Sequence, residues 1–169
     1  MPKAKPLPDI ATLYQILEYD PVYGIFIWIE SRPKCKKGSV AGSLNKDGYI
    51  YICINGIRYT AQRLAWLFFY NEDPGIKQVD HINGDKVDNA IKNLRLATQA
   101  ENMRNRTYHK RNKLKIKGVS YHATKRKYVA KICIDYKSIH IGYFDTPELA
   151  HMAYCKAAAE LHGEFARGQ

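Results

Sequence analysis

Two adjacent side chains with complementary chemistry, Asp80 and His81, stand at the head of a stretch rich in Asn, Asp and Gly. A carboxylate can hold a hard cation, and Mg²⁺ prefers one or two carboxylates together with substrate phosphate. An imidazole with an ordinary pKa of about 6.5 can be neutral at working pH and can take a proton from an attacking water. Neighbouring residues of an extended chain point in opposite directions, so both groups can approach one phosphate. Alone, such a pair is also typical of a simple turn.

Two asparagines further along the chain strengthen the chemical interpretation. The sequence Thr98-Gln99-Ala100-Glu101 is a capping-box pattern, which predicts a helix from Thr98 to about residue 108. Asn102 then lies in the first turns, near the positive end of the helix dipole, where its side-chain oxygen could complete a metal site. Asn93 carries a short amide that is suited to pinning a loop.

The elements that must position these residues can be predicted from periodicity and turn signals. Apolar spacing with Asp9 as N-cap predicts a helix over 9–19, which Pro21 ends. Asn55-Gly56 between two β-rich runs predicts a hairpin. The expected order is a helix over 9–19, a strand over 25–29, a hairpin of 49–54 and 58–60, a helix over 61–70 and a loop over 79–89.

The last third of the chain has a βββα pattern. Strands are expected over 118–122, 128–135 and 138–144, followed by a helix with Thr146 as N-cap, Pro147 at its first position and Gly163 after its end. Strand alternation places one set of polar and cationic side chains on the sheet face away from the helix, where base edges and phosphates could be contacted. This set is Ser120, His122, Lys127, Lys131, Ser138 and His140.

Charge favours a polyanionic partner. Lys and Arg outnumber Asp and Glu by 27 to 16, which gives a net charge of +11. The stretch 95–131 is strongly basic with Glu101 as its single acid, which also suits a solvated linker. The 13 tyrosines suit nucleic acid better than lipid. We therefore expect double-stranded DNA as the partner, with further contacts at Arg63, Arg106 and Lys117.

Other classes of protein are disfavoured by what the sequence lacks. No apolar run approaches the roughly 20 residues that span a bilayer, and the first residues lack a signal-peptide core. Cys35, Cys53, Cys133 and Cys155 are scattered, without a C-x-x-C pair, so neither zinc nor a disulfide framework is expected. The prediction is a cytoplasmic protein without a membrane partner or a small-molecule cofactor.

The stretch from Asp80 to Asp85, preceded by a hairpin and followed by Asn93-Leu94-Arg95 and Asn102, resembles the HNH nucleases with a ββα-metal site, especially their phage and intron-homing branch. The resemblance covers about residues 45 to 106. It implies that Asp80 and Asn102 bind a single Mg²⁺ or Mn²⁺, that His81 is the general base and that Asn93 orients the loop. Gln62 stands where many relatives have histidine.

The segment from Lys117 through Gly142-Tyr143-Phe144-Asp145-Thr146 resembles the Apetala-type domain of plant ethylene-response factors, over about residues 115 to 167. The resemblance implies a three-stranded sheet that lies in the DNA major groove, with one helix behind it. Ser120, Cys133 and His140 stand where that family usually has larger contacting side chains, so its target sequence does not transfer.

Together these patterns predict an α+β chain with a ββα-metal nuclease domain over 1–108, a basic linker over 109–116 and a DNA-binding domain over 117–169. The predicted function is metal-dependent, site-selective DNA cleavage by a phage homing endonuclease, in the host cytoplasm if phage-encoded. Two alternatives stay open. One is a DNA-binding regulator with a decayed nuclease site, for which Gln62 is the support; the other is a non-homing phage nuclease for DNA degradation or packaging.

Overall fold

The computed structural model describes residues 5–33, 35–105, 108, 112–134 and 137–163. The chain divides into two compact units, Met1–Gln99 and Ala100–Gln169. Arg106 and residues 109–111 of the predicted linker lie outside the described residues. In the described part of the chain, no helix has the length and apolar character needed to cross a bilayer.

The first unit consists of short antiparallel strands around two helices. Its elements are α1 (Ile10–Tyr14), β1 (Leu17–Asp20), β2 (Ile25–Trp28), β3 (Val40–Ala41), β4 (Ser43–Leu44), β5 (Ile50–Ile54), β6 (Ile57–Thr60), α2 (Ala61–Tyr70), β7 (Gln78–His81), a 3-10 turn (Ile91–Asn93) and β8 (Leu94–Ala97). The strands form the sheets β1-β2-β3, β4-β5-β6 and β7-β8. The largest fully buried side chains of this unit's core include Leu13, Phe26, Ile52 and Leu64.

The central hairpin and helix were predicted correctly. Asn55 and Gly56 both have positive φ, 50° and 78°, which is the conformation that a tight two-residue turn requires. The strands β5 and β6 pair across this turn, and α2 begins immediately after Thr60. The buried side of α2 packs into the core and fixes where the following strand must lie.

The predicted N-terminal helix is wrong beyond Tyr14. Asp9 caps α1, with its carboxylate accepting from the Thr12 amide at 3.1 Å, but the helix has only five residues. The chain then enters β1, where Leu17 pairs with Trp28 of β2. Leu13 and Leu17 are both buried, so the four-residue spacing that suggested a helix is also met by a helix followed by a strand.

The predicted loop over 79–89 is also wrong at its start. Residues 78–81 form β7, and the register places Asp80 opposite Arg95 and His81 opposite Leu94. Val79 and Leu94 are buried in the core of the unit. The Asp80-His81 pair therefore stands at the end of a strand, and only the residues after it form a loop.

The second unit has the predicted βββα order. Its elements are α3 (Gln99–Asn105), which the unit boundary divides, then β9 (Val119–His122), β10 (Lys127–Ile134), β11 (Lys137–Phe144) and α4 (Pro147–His162). The sheet order is β11-β10-β9, and α4 packs on it around Ala130, Ile132 and Tyr154. Thr146 caps α4 by accepting from the Leu149 amide at 3.3 Å, as predicted. The described part of α3 ends three residues before the predicted end.

Candidate nuclease site and DNA-binding face

Asp80 is a buried carboxylate whose charge is balanced by a cross-strand partner. Nε and Nη2 of Arg95 lie 3.3 Å and 3.2 Å from Oδ2 of Asp80. The two side chains are only 12% and 9% exposed. Removing one partner from such a buried pair leaves an uncompensated charge, which is strongly destabilising. Arg95 therefore fixes both the position and the electrostatic surroundings of the Asp80 carboxylate.

The Asp80 carboxylate offers oxygen ligands of the kind that hard divalent cations take. Among the described residues, no group of three or more His, Cys, Asp or Glu side chains is arranged to hold a metal ion. Mg²⁺ is commonly held by one or two carboxylates, with water and substrate phosphate completing its coordination. The single carboxylate of Asp80 is compatible with that mode.

The imidazole of His81 is held in one tautomer by an asparagine. His81 is 4% exposed, and its Nε2 lies 3.1 Å from Oδ1 of Asn89. Asn89 Nδ2 donates to the Val87 carbonyl at 3.1 Å, which directs its oxygen towards the histidine. With Oδ1 of Asn89 facing Nε2, a neutral imidazole donates from Nε2 and carries its lone pair on Nδ1. Nδ1 is the nitrogen that can accept a proton from water.

Burial also keeps this imidazole neutral. Desolvation lowers the pKa of His81 below its ordinary value of 6.5. The hydrogen bond to Asn89 and the charges of Asp80, Asp85 and Asp88 act in the opposite direction but do not cancel the effect of burial. At neutral pH the neutral form, which can act as a base, is therefore favoured.

The loop after His81 is pinned by Asn93. Its Oδ1 accepts from the Asn83 amide at 2.9 Å, and its Nδ2 donates to the Asp88 carbonyl at 2.8 Å. Asn83 Nδ2 also donates to the Asp88 carboxylate at 2.9 Å, across the loop. Asn93 thus ties together the two sides of the loop.

Sequence reasoning missed several residues of this site. Asn89 was grouped with the loop residues, and Arg95 was noted only as part of a similar segment. Lys86 was not considered either: its Nζ donates to the Asp47 carbonyl at 2.7 Å and lies 4.5 Å from the Tyr49 ring centroid. The Tyr49 ring is in turn 6.1 Å from that of His81. If residues 79–81 had been paired as a strand with the alternating segment after Asn93, Arg95 would have been predicted opposite Asp80.

The remaining predicted residues of the nuclease domain have mixed placements. Asn102 lies on α3, half-buried and within the second unit. Arg63 binds the protein itself: its guanidinium donates to the Lys5 carbonyl at 2.8 Å and to Asp73 at 3.0 Å. Gln62 is buried, and its Oε1 has no hydrogen-bond partner among the residues that the structure describes.

In the second unit, the six predicted sheet residues share one face. On β10, Lys127 and Lys131 alternate with Ala130 and Ile132, which pack in the core. The pairs across the sheet place the other four opposite residues of the same parity. These are His122 opposite Lys127, Ser120 opposite Val129, His140 opposite Lys131 and Ser138 opposite Cys133. Lys127 forms an ion pair with Asp145, and Lys117 donates to the Arg104 carbonyl.

Tyr143 is a further member of this face that the sequence did not indicate. The register shifts between Ala130 and Lys131, which leaves Ile141 as an extra residue in β11. Because of this bulge, Tyr143 lies on the same face as His140, and their ring centroids are 4.6 Å apart. Lys125 Nζ lies 4.0 Å from the Tyr143 ring centroid. The face therefore carries a group of cationic and flat side chains.

Comparison with known proteins gives a consistent assignment for both units. A model of the HNH endonuclease family matches residues 59–104, and a model of the AP2 domain matches residues 114–164. Protein 3.8 of Escherichia phage T7 is 33% identical over 89 residues, which cover 53% of this chain and 73% of the phage protein. No solved structure gives a significant match. The chain therefore belongs to the same family as Protein 3.8, and it combines an HNH endonuclease domain with an AP2 DNA-binding domain.

Proposed function

We propose that this protein is a site-selective endonuclease that hydrolyses phosphodiester bonds of double-stranded DNA with one Mg²⁺ or Mn²⁺ ion. The observation that carries the proposal is the His81–Asn89 hydrogen bond within the segment matched by the HNH model. It supplies a buried, neutral imidazole in a defined tautomer, immediately beside the Asp80 carboxylate. A positioned base and a carboxylate for a hard cation are the two requirements of metal-assisted hydrolysis.

In the proposed reaction His81 removes a proton from the attacking water through Nδ1. Asn89 keeps the other ring nitrogen protonated and stabilises the imidazolium that forms. Asp80 would hold the metal ion. The resemblance to HNH nucleases with a ββα-metal site suggests Asn102 as a second ligand. The bound ion would supply Lewis-acid stabilisation of the charge that develops on the phosphate and the leaving oxygen. Asn93 keeps the loop between these residues closed.

The AP2 domain would select the site that is cut. We propose that the outer sheet face, with Lys131, Ser120, Ser138 and the histidines around Tyr143, contacts phosphates and base edges in the major groove of duplex DNA. A nuclease tethered to a sequence-selective domain suits a homing role in phage DNA inside the host cell. The similarity to a phage protein supports a phage setting.

Mapping cleavage on phage genomic DNA tests this function. In the presence of Mg²⁺ we expect a few discrete nicks or breaks, and we expect none in EDTA. Many scattered breaks would indicate a non-homing nuclease for degradation or packaging. Sequence-selective binding without cleavage, in either Mg²⁺ or Mn²⁺, would indicate the DNA-binding regulator.

The assignment of the sheet face predicts a change in salt dependence for Lys131→Ala. Each lost phosphate contact reduces the slope of log K against log salt by about 0.9. We expect weaker binding with a slope shallower by about this amount. Lys137→Ala is a matched control. Lys137 is exposed on the same sheet, but it pairs with Ile134, which lies on the same side of β10 as the core residues Ala130 and Ile132. Equal effects of the two variants would mean that the face makes no special contact.

A further inference from the structure

The N-terminal hairpin contacts the loop that carries Asn89, although it lies outside the segment matched by the HNH model. The hydroxyl of Tyr19, on β1, donates to the Asn89 carbonyl at 2.7 Å across 70 residues of sequence. The Ile91 amide donates to the Pro21 carbonyl, in the hairpin turn, at 3.0 Å. The hairpin therefore holds the loop on both sides of Ala90.

A third contact lies between these two and leaves no room for a side chain. Gly24 has a φ of +69°, and a Cβ built on it would lie 2.1 Å from the Ala90 nitrogen and 2.2 Å from the Asn89 carbonyl carbon. The turn itself is fixed, since the Asp20 carboxylate accepts from the amides of Val22 and Tyr23 at 2.8 Å and 3.0 Å. The backbone at Asn89 thus rests against a rigid support.

Tyr19 is well suited to act as a permanent donor. Its ring stacks on that of Phe26 in the core, with centroids 4.7 Å apart, so its position is set by packing. Burial, aided by the negative charges of Asp20 and Asp88, raises the pKa of the phenol above its ordinary value of 10. The hydroxyl therefore keeps its proton near neutral pH.

We infer that Tyr19, on the hairpin of β1 and β2, is a positioning residue which acts on His81 through Asn89. The backbone of Asn89 is held by Tyr19, and its side chain holds Nε2 of His81. A loop that can move at Asn89 allows the amide to leave the imidazole, and the second tautomer then becomes populated. That tautomer presents a protonated Nδ1 to the water and cannot act as the base. The inference rests on the proposed role of His81.

Tyr19→Phe in the full-length protein tests this inference, because it removes the hydroxyl and keeps the packed ring. Tyr23→Phe is the matched control, since Tyr23 lies in the same hairpin but is 74% exposed. We expect Tyr19→Phe to lower kcat on the order of tenfold with KM for DNA unchanged. We also expect the ¹⁵N ring shifts of His81, recorded without DNA or metal at a pH well above its pKa, to change from the single Nε2–H tautomer to a mixture. Tyr23→Phe should change neither property.

The two readouts separate this inference from the proposed function. A single, unchanged His81 tautomer in Tyr19→Phe would overturn the positioning role, even if kcat fell through general loosening of the fold. A changed tautomer in a protein that never cuts DNA would support the structural coupling and overturn the proposed nuclease activity instead. A changed tautomer with an unchanged kcat would also overturn the positioning role, because the coupling would then have no catalytic consequence.

Discussion

Replacing His81 with glycine should reduce DNA cleavage by about 10²–10⁴-fold and leave DNA binding within about twofold of the original protein. The variant loses the base that accepts a proton from water. It loses no phosphate-contacting cation, because burial lowers the pKa of this imidazole and favours its neutral form near neutral pH. Cleavage should be measured in single-turnover experiments, and binding should be measured by gel shift in Ca²⁺.

Added imidazole sharpens this test. The glycine variant leaves a space where the ring was, so free imidazole should restore part of the activity in a concentration-dependent way. It should have no effect on the original protein. If binding were lost together with cutting, or if imidazole rescued nothing while the fold was intact, His81 would be a contact or structural residue and the proposed mechanism would be wrong.

Asp80→Asn should abolish the response to Mg²⁺ and lower cleavage by about 10³-fold, because a bound metal ion contributes several kcal/mol of charge stabilisation in the transition state. Asn102→Ala should weaken the Mg²⁺ response in the same direction. Asp9→Asn is the matched control, since asparagine caps a helix as well as aspartate does and Asp9 is far from Asp80 in the sequence. The rate should be titrated with Mg²⁺ for each variant.

Arg95 must be considered when this experiment is interpreted. Asp80→Asn removes the carboxylate charge from a buried ion pair with Arg95, which lowers the free energy of unfolding. The double variant Asp80→Asn, Arg95→Leu should recover much of that stability while remaining inactive. If the double variant regained Mg²⁺-dependent cleavage, Asp80 would not be a metal ligand. An unchanged Mg²⁺ response in Asn102→Ala would remove Asn102 from the ligand set.

The parts of the fold that the sequence predicted well are those fixed by local chemistry. The turn at Asn55-Gly56 needs two residues that tolerate positive φ, and the terminal helix has its own cap at Thr146. The segment 15–19 was predicted wrongly because its conformation is decided by a partner strand, Ile25–Trp28, and not by its own spacing. Tertiary pairing overrode a weak helical period.

The same distinction applies to the candidate site. Asp80 and His81 could be singled out as candidates because their types and adjacency occur together with Asn93, Asn102 and a preceding hairpin. Asn89 and Arg95 could not, since their roles depend on a loop conformation and on a strand register. The bulge that brings Tyr143 beside His140 is likewise invisible to strict alternation. The candidate residues for chemistry and the loop-pinning Asn93 were predictable, whereas Asn89 and Arg95, which contact those candidates, were found only in three dimensions.

The extra residue in β11 decides which side chains of this strand lie on the outer face of the sheet. Ile141 has no partner on β10. His140 and Tyr143, on either side of it, therefore lie on the same face although they are three residues apart. Deleting Ile141 would remove the extra residue, so that His140 and Gly142 would oppose Lys131 and Ala130 in a regular ladder. Tyr143 would still oppose Val129 on the outer face, and Phe144 would still oppose Tyr128 on the side of the core. The bulge is therefore the place in this strand where the loss of one residue would change the local twist and bend and leave both faces with the same side chains.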